Sequence, residues 1–406
     1  MHRDSVVDGT RGTEKEAVAG ERYLCYAPSQ YTSHAERHGM RLGFEVSNVN
    51  THQATGVTKY IMALIAACSA QMQATDHLVL FYKLSRWPRR QEWWWPAGLP
   101  VRLYQGWCWP PMKRVDLVHG LDCVVPSWPR VPRLVTIHDL LTMASDDVQI
   151  APERFRQKKR QVYQRAVRAD AIVTVSETTR HDVMTWLGVP ATRVYVTHLG
   201  IDQRFGPQPQ EAVQAVCQRY GLTPGYVLFT GSISGRKNTA RLVRAYARSR
   251  ACTERALVLA GTMAYRGEDT LEAIRQGGAG MRVQILGYVP DADLPALYAG
   301  AGCFAFPTLY EGFGMPILEA MASGIPVLTS TTGAAPEISA GLAVCVDPYD
   351  IEAIAAGIDH ALALPTTTLA QARVHARTFT WERCARQTLD IYRHVLCTTR
   401  NGLAPL

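Results

Sequence analysis

From about residue 40 onward, short runs of β-branched and aromatic residues alternate with longer stretches whose apolar positions recur at helical spacing. The runs predict strands at 44–47, 78–82, 101–104, 117–119, 134–138, 172–176 and 194–198 in the first half of the chain. In the second half they predict strands at 226–231, 256–261, 283–286, 303–307, 326–329 and 343–346. Between them lie helix-length segments such as 57–71, 154–169, 178–187, 239–249, 294–299 and 316–323. Strands that alternate with helices indicate parallel sheets covered on both faces. The stretch 198–210 (HLGIDQRFGPQPQ) has little apolar periodicity and is rich in Gly, Pro and Gln, which marks a break between two halves. The expected architecture is therefore α/β: two doubly wound, Rossmann-like parallel-sheet domains facing across a cleft that holds the ligand at strand carboxyl ends. The expected divisions are an N-terminal extension (1–40), a first domain (41–205), a second domain (206–385) and a closing helix and tail (386–406).

Composition narrows the class. The chain has 406 residues, 47% hydrophobic and 19% charged, so it is neither disordered nor collagen-like. Its ten Cys form no C-x-x-C pair, which gives no sign of a zinc site or disulfide framework and fits a reducing cytoplasm. No segment reaches the roughly 18 apolar residues of a membrane span, and the first 20 residues carry no apolar core of a secretory signal. Forty-three Lys and Arg against 35 Asp and Glu give a formal charge of +8, which points to an anionic partner.

The most informative stretch is 308–324, TLYEGFGMPILEAMASG. A strand ends before it, Pro316 can open a helix and Gly324 can close it. Gly312 and Gly314 then precede a helix N-terminus, where unpaired amides and the helix dipole favour an anion such as a diphosphate. Glu311 on the loop and Glu319 in the helix can bracket one ligand; the ordinary alternative is a surface loop residue and an exposed helix residue. A second segment, 226–238 (YVLFTGSISGRKN), reads as strand, loop and helix start, with Arg236 and Lys237 where cations oppose the helix dipole. A bound anion accounts for them, Arg as a bidentate grip and Lys as a point charge; a solvated basic loop is the alternative.

The pattern E-G-F-G-M-P-I-L-E, with seven residues between the glutamates, resembles the signature of family-4 glycosyltransferases, which are retaining enzymes of the GT-B fold. The resemblance covers residues 42–395, including a final segment, 379–392, similar to the family's closing helix. It implies that Glu319 binds the ribose hydroxyls of a nucleotide sugar and that Glu311 contacts the donor sugar. Backbone amides of Phe313, Gly314 and Met315 would help hold sugar and diphosphate, and Arg236 and Lys237 would neutralise the leaving nucleoside diphosphate. Residues 55–64 (TGVTKYIMAL) resemble the family's G-I-G-R-Y loop; Gly56 matches its first glycine, whereas Thr58 replaces the second. His138, ending L-V-T-I-H-D, matches a histidine near the donor sugar, although a lone histidine is more often structural. His119 and Ser176 also match strand ends at the cleft, Ser176 being equally an N-cap; neither is assigned a chemical role.

The resemblance implies transfer of a hexose, mannose first, from GDP-mannose or a UDP-sugar to a glycan or lipid-linked oligosaccharide. The enzyme would need no cofactor or metal beyond the donor. Asp291-Ala292-Asp293 spells a metal-binding D-x-D, but its place before a helix predicts N-capping. Trp87, Trp93, Trp94, Trp95, Trp107 and Trp109 cluster with Lys and Arg in 83–114, and 154–168 (RFRQKKRQVYQRAVR) is basic and amphipathic. Both suit the anionic cytoplasmic face of an inner membrane; no nucleic-acid-binding domain is recognised. The alternatives are a GT-B nucleotide-sugar epimerase and a basic nucleic-acid-binding or scaffold protein with an inactive sugar site.

Overall fold

The computed structural model describes residues 39–49, 55–86, 98–105, 115–126, 128, 131–144, 152–278 and 280–400. The first half builds strands β1 (Arg41–Glu45), β2 (His77–Lys83), β3 (Val101–Tyr104), β4 (Leu117–Gly120), β5 (Arg133–Ile137), β6 (Ala171–Thr174) and β7 (Val194–Val196). Its helices are α1 (Gly56–Gln71), α2 (Leu141–Ala144), α3 (Glu153–Ala166) and α4 (Glu177–Leu187). The second half begins with α5 (Gln210–Tyr220), β8 (Tyr226–Thr230), α6 (Thr239–Tyr246), α7 (Ala251–Glu254), β9 (Leu257–Ala260) and α8 (Glu268–Gln276). It continues with β10 (Val283–Gly287), α9 (Leu294–Ala299), β11 (Ala301–Phe306), α10 (Met315–Ala322), β12 (Val327–Ser330) and α11 (Ala335–Ser339). The chain then runs through β13 (Val344–Val346), α12 (Ile351–Leu362), α13 (Thr366–Ala376) and α14 (Trp381–Arg400).

The strands within each sheet pair in parallel, in a seven-stranded sheet of order β3-β2-β1-β4-β5-β6-β7 and a six-stranded sheet of order β10-β9-β8-β11-β12-β13. Central strands such as β8 and β6 are buried along their whole length, as strands covered by helices on both faces must be. The strand order reverses beside β1 in one sheet and beside β8 in the other, which opens a crevice at the carboxyl ends of each. Each predicted strand has its counterpart within a few residues. The apolar pattern did not single out α5, α8, α12 and α13; α5 starts where the break between halves was drawn. The described part of the Trp-rich segment is Lys83–Arg86 and residues 98–105; its six tryptophans lie outside the described residues.

The chain crosses between the sheets twice. After β7 it passes through Gly200 and Ile201, and α14 returns to pack along α1. The two crossings touch: the Ile201 amide donates to the Phe379 carbonyl at 3.1 Å, and a Cβ on Gly200 would fall 2.3 Å from the Trp381 nitrogen. Glycine is required at that approach. On α14, the hydroxyl of fully buried Tyr392 meets Nδ1 of His119 at 2.6 Å, while Nε2 of that ring meets the Thr136 hydroxyl at 2.9 Å. Burial drives the imidazole pKa down to about 3, so the ring is neutral, with one donor and one acceptor nitrogen, and both are used. His119 is thus a core residue that anchors the closing helix.

Tyr392→Phe is expected to leave one buried ring nitrogen without a partner and to destabilise the protein by about 1–3 kcal/mol. Thermal melting should show this as a lowered Tm with strand content retained; an unchanged Tm would refute the anchoring role.

Candidate active site

The loop between β11 and α10 carries Glu311. It turns through Gly314 at φ 97°, a conformation suited to glycine, and Pro316 stands in the first turn of α10. One oxygen of Glu311 collects three donors: the Lys237 ammonium at 2.7 Å, the Thr308 hydroxyl at 2.9 Å and the Arg236 guanidinium at 3.2 Å. Lys237 also stands over the Phe306 ring, 4.6 Å from its centroid. The loop between β8 and α6 that carries both cations is tied to the Glu311 loop through its backbone. The Leu309 amide donates to the Arg236 carbonyl at 3.0 Å, and the Asn238 amide group donates to the carbonyls of Pro307 (2.9 Å) and Pro348 (2.6 Å).

Neither sequence alternative of a solvated loop fits, because Glu311 and Lys237 are each only 8% exposed and Glu319 only 9%. Burial pushes the Glu311 carboxyl upward, but the charges of Arg236 and Lys237 outweigh it and hold it below the ordinary range. For Lys237, burial and the neighbouring Arg236 prevail over Glu311 and bring the ammonium down to about 8. The two cations converge on one carboxylate oxygen, with the charge of Asp139 also reaching them, so an anionic ligand arriving there meets donors already gathered in a largely desolvated place.

Glu319 sits in a different environment. Tyr298 donates to its Oε2 at 2.9 Å and meets the Thr230 hydroxyl at 2.6 Å. Burial raises its pKa; Lys59 and the Tyr298 bond oppose the rise, while Asp291 and Asp202 add to it. Lys59 comes from α1 in the other half and forms a 3.0 Å ion pair with Asp291. Gly56, at the start of α1, is also at the meeting point of the halves, where its Cβ would be 3.1 Å from Cε of Met315. His138 follows β5 and bonds through Nε2 to the Leu121 carbonyl at 2.9 Å, with its ring edge-on to Tyr60. A carbonyl only accepts, so Nε2 of His138 carries a proton and donates it there. The carbonyl of His138 lies against Gly312, where a Cβ would come within 1.8 Å of it. Phe313 turns its ring into the core near His198 and Phe379.

Ser176 does cap α4, accepting from the Thr179 amide, and its hydroxyl also donates across the cleft to the Gly312 carbonyl at 2.6 Å. The expectation that Asp291 and Asp293 cap α9 is corrected. Asp293 makes no side-chain cap bond; it takes Arg219 at 2.6 and 2.7 Å and the Tyr220 hydroxyl at 2.7 Å, because a guanidinium outcompetes neutral amides for a carboxylate. Asp291 is committed to Lys59. Among the described residues, no group of three or more His, Cys, Asp and Glu side chains could hold a metal ion, and no helix is long and apolar enough to cross a membrane.

Sequence reasoning missed Tyr298, Thr308, Lys59 and Glu337. Lys59 and Thr308 lie within the quoted segments 55–64 and 308–324 but drew no role there, and Tyr298 and Glu337 sit in no motif; only their contacts mark them. It also missed Glu45 at the end of β1, where burial pushes the carboxyl up to about 7 against hydrogen bonds from Ser47 and Tyr104.

Two family models match the chain in succession: "Glycosyltransferase Family 4" over residues 41–205 and "Glycosyl transferases group 1" over residues 219–378. The chain is also 31% identical over 323 residues to the O-antigen chain mannosyltransferase B of Escherichia coli, covering 78% of this chain and 80% of that protein. The chain belongs to glycosyltransferase family 4. A second relative, the MMP alpha-(1->4)-mannosyltransferase of Mycolicibacterium hassiacum, is 27% identical over 69% of this chain and 71% of its own length. Among solved structures, Anabaena HepE in complex with UDP and glucose superposes with a TM-score of 0.66 at 18% identity, covering 87% of this chain and 99% of that one. The two parallel sheets are those of a GT-B glycosyltransferase.

In this glycosyltransferase, Glu311→Gln should leave buried Lys237 and partly buried Arg236 without their shared counter-charge and destabilise the protein by about 3–5 kcal/mol. A millimolar nucleoside diphosphate should recover part of the lost Tm. A melting curve superimposable on that of wild type would contradict the assignment of Glu311 as their shared counter-ion.

Proposed function

We propose that the chain transfers a hexose, mannose first, with retention from a nucleotide sugar to a glycan or lipid-linked oligosaccharide. The observation that carries this reading is the pair of cations, buried Lys237 and partly buried Arg236, held by Glu311 beside the N-terminus of α10. The second half (206–385) is the donor domain. Arg236 and Lys237 neutralise the diphosphate, amides of Phe313, Gly314 and Met315 complete its cradle, and Glu319 receives the ribose hydroxyls. Gly56 gives the diphosphate room at the mouth of α1. Glu311 and His138 orient the sugar. The bond between C1 and the diphosphate breaks as the acceptor oxygen bonds to C1 from the same face. The acceptor proton passes to the departing phosphate, and the charge growing there is stabilised by Arg236 and Lys237.

Mannose is supported by the names of both relatives described above, which makes GDP-mannose the first donor to test and UDP-sugars the second. The first half (41–205) is the acceptor domain. Its basic helix α3, which leaves Phe155 48% exposed beside Arg154 and Lys158, is the surface that would rest on the anionic cytoplasmic face of an inner membrane.

A thermal-shift screen of GDP-, UDP- and ADP-sugars should show stabilisation by one donor, GDP-mannose first. Lys237→Ala and Glu319→Ala should each lower transfer from that donor by about a hundredfold or more; near-wild-type rates in both would refute the site. Folded Lys237 titrates at about 8 against 10.5 ordinarily, so it is charged below about pH 8. Donor affinity of the free enzyme should therefore be full below that pH and weaken as pH rises through it. Stability should move the other way, increasing from about pH 8 to 10.5, where the unfolded chain binds the extra proton. Lys237→Arg should abolish the alkaline loss of affinity. In liposome flotation, recovery should require anionic lipid; equal flotation with neutral vesicles, or none, would remove the membrane contact.

A further inference from the structure

Glu337 lies on α11 of the second half, outside every motif of the donor site, yet its carboxylate is spent on the first half. Its Oε1 accepts from the Glu177 amide at 2.9 Å, and its Oε2 accepts from both the amide and the hydroxyl of Thr178, each at 2.9 Å. His198, on the segment leaving β7, donates from Nε2 to Oε1 at 2.8 Å. Glu177 and Thr178 are the first residues of α4, whose own cap, Ser176, already satisfies the Thr179 amide. Ser176 and Glu337 together therefore occupy the first three amides of α4, and the carboxylate lies where the helix dipole favours negative charge. Burial alone would raise the pKa of Glu337, but the bonds from His198, Glu177 and Thr178 hold it below the ordinary range, so it is ionised at neutral pH.

The same turn of α4 grips the donor loop a second time. The hydroxyls of Ser176 and Thr179 donate to the Gly312 carbonyl at 2.6 and 3.2 Å. The chain leading to Glu337 is itself fastened to Glu311: the Ala334 amide donates to the Glu311 carbonyl at 2.9 Å, and a Cβ on Gly333 would fall 2.6 Å from that oxygen. Gly312, on one side of Glu311, and residues 333–337, packed on the other, are thus both held by one helix end belonging to the opposite domain. We propose that Glu337 is a positioning residue, a cross-domain cap whose engagement with α4 fixes the backbone of Glu311 when the cleft closes. It makes the geometry of the reacting sugar depend on closure, while nucleotide binding to the second domain alone does not require it.

This inference rests on the donor-site reading, and the test separates the two. Kinetics of transfer, binding of GDP and UDP alone, and small-angle X-ray scattering are measured for wild type, Glu337→Ala, Thr178→Val and the double variant. Glu337→Ala should lower kcat by about tenfold or more while changing the Kd for nucleotide by less than about twofold. Compaction on adding nucleotide should be confined to wild type. Thr178→Val should lower kcat less, and the double variant should be no slower than Glu337→Ala, as expected of two partners in one contact. Wild-type kcat in Glu337→Ala, equal compaction in wild type and variant, or independent multiplicative losses would each overturn the cap. Failure of wild type to bind either nucleotide would count against the donor-site reading; the cap is then judged from the nucleotide-free scattering profile, which should widen in Glu337→Ala and would overturn the proposal if unchanged.

Discussion

The carboxylate of Glu311 could not remain ionised in its buried position without Lys237 and Arg236, nor could two cations remain beside each other without it. Such a cluster tolerates little displacement, since the cost of an uncompensated buried charge rises steeply as partners separate. Its three donors come from two different strand-to-helix loops, so one oxygen atom joins the carboxyl ends of β8 and β11. The short strands, the backbone bonds between the loops and the carbonyls that receive Asn238 follow as conditions for holding that geometry. The result is a site whose cationic donors are already gathered and largely desolvated, so that their reorganisation cost has been met during folding and not at the moment of reaction.

The facing domain supplies few charges but much of the confinement. Gly56 meets Met315, Lys59 reaches Asp291, and Gly312 lies against the carbonyl of His138. These contacts are mostly backbone or small side chains. That choice lets the two halves approach until only a narrow space remains, so small residues here serve the approach of surfaces more than local flexibility.

Much of this organisation is legible in the sequence because its causes are local. Strands buried on both faces are continuous apolar runs, and each predicted strand finds its counterpart in the two sheets. The E-x7-E stretch and the R-K-N segment are contiguous, so their chemistry can be read directly. What escapes is whatever depends on two distant segments meeting. Asp293 reads as an N-cap because its neighbours in sequence form a helix, but Arg219 lies in the preceding part of the fold and takes the carboxylate. Glu337 shows no pattern at all, since its partners stand 139 to 160 positions away. His138 and His119 follow successive, adjacent strands or lie within them, yet only contacts reveal that His119 is spent in the core.

The touching crossings at Ile201 and Phe379 have a mechanical consequence. Two bodies linked by two strands of chain that bear on each other separate less readily than two bodies on a single tether, and rotation about the shared crossing is the motion that disturbs it least. Displacement then grows with lever arm, so the lip of the cleft far from the pivot sweeps widely while residues beside it scarcely move. Phe313 and His198 pack around Phe379, close to that axis. Ring contacts at the pivot can persist through such a rotation, whereas the contacts of Gly312 and Glu337 with α4 are the ones that closure makes or breaks.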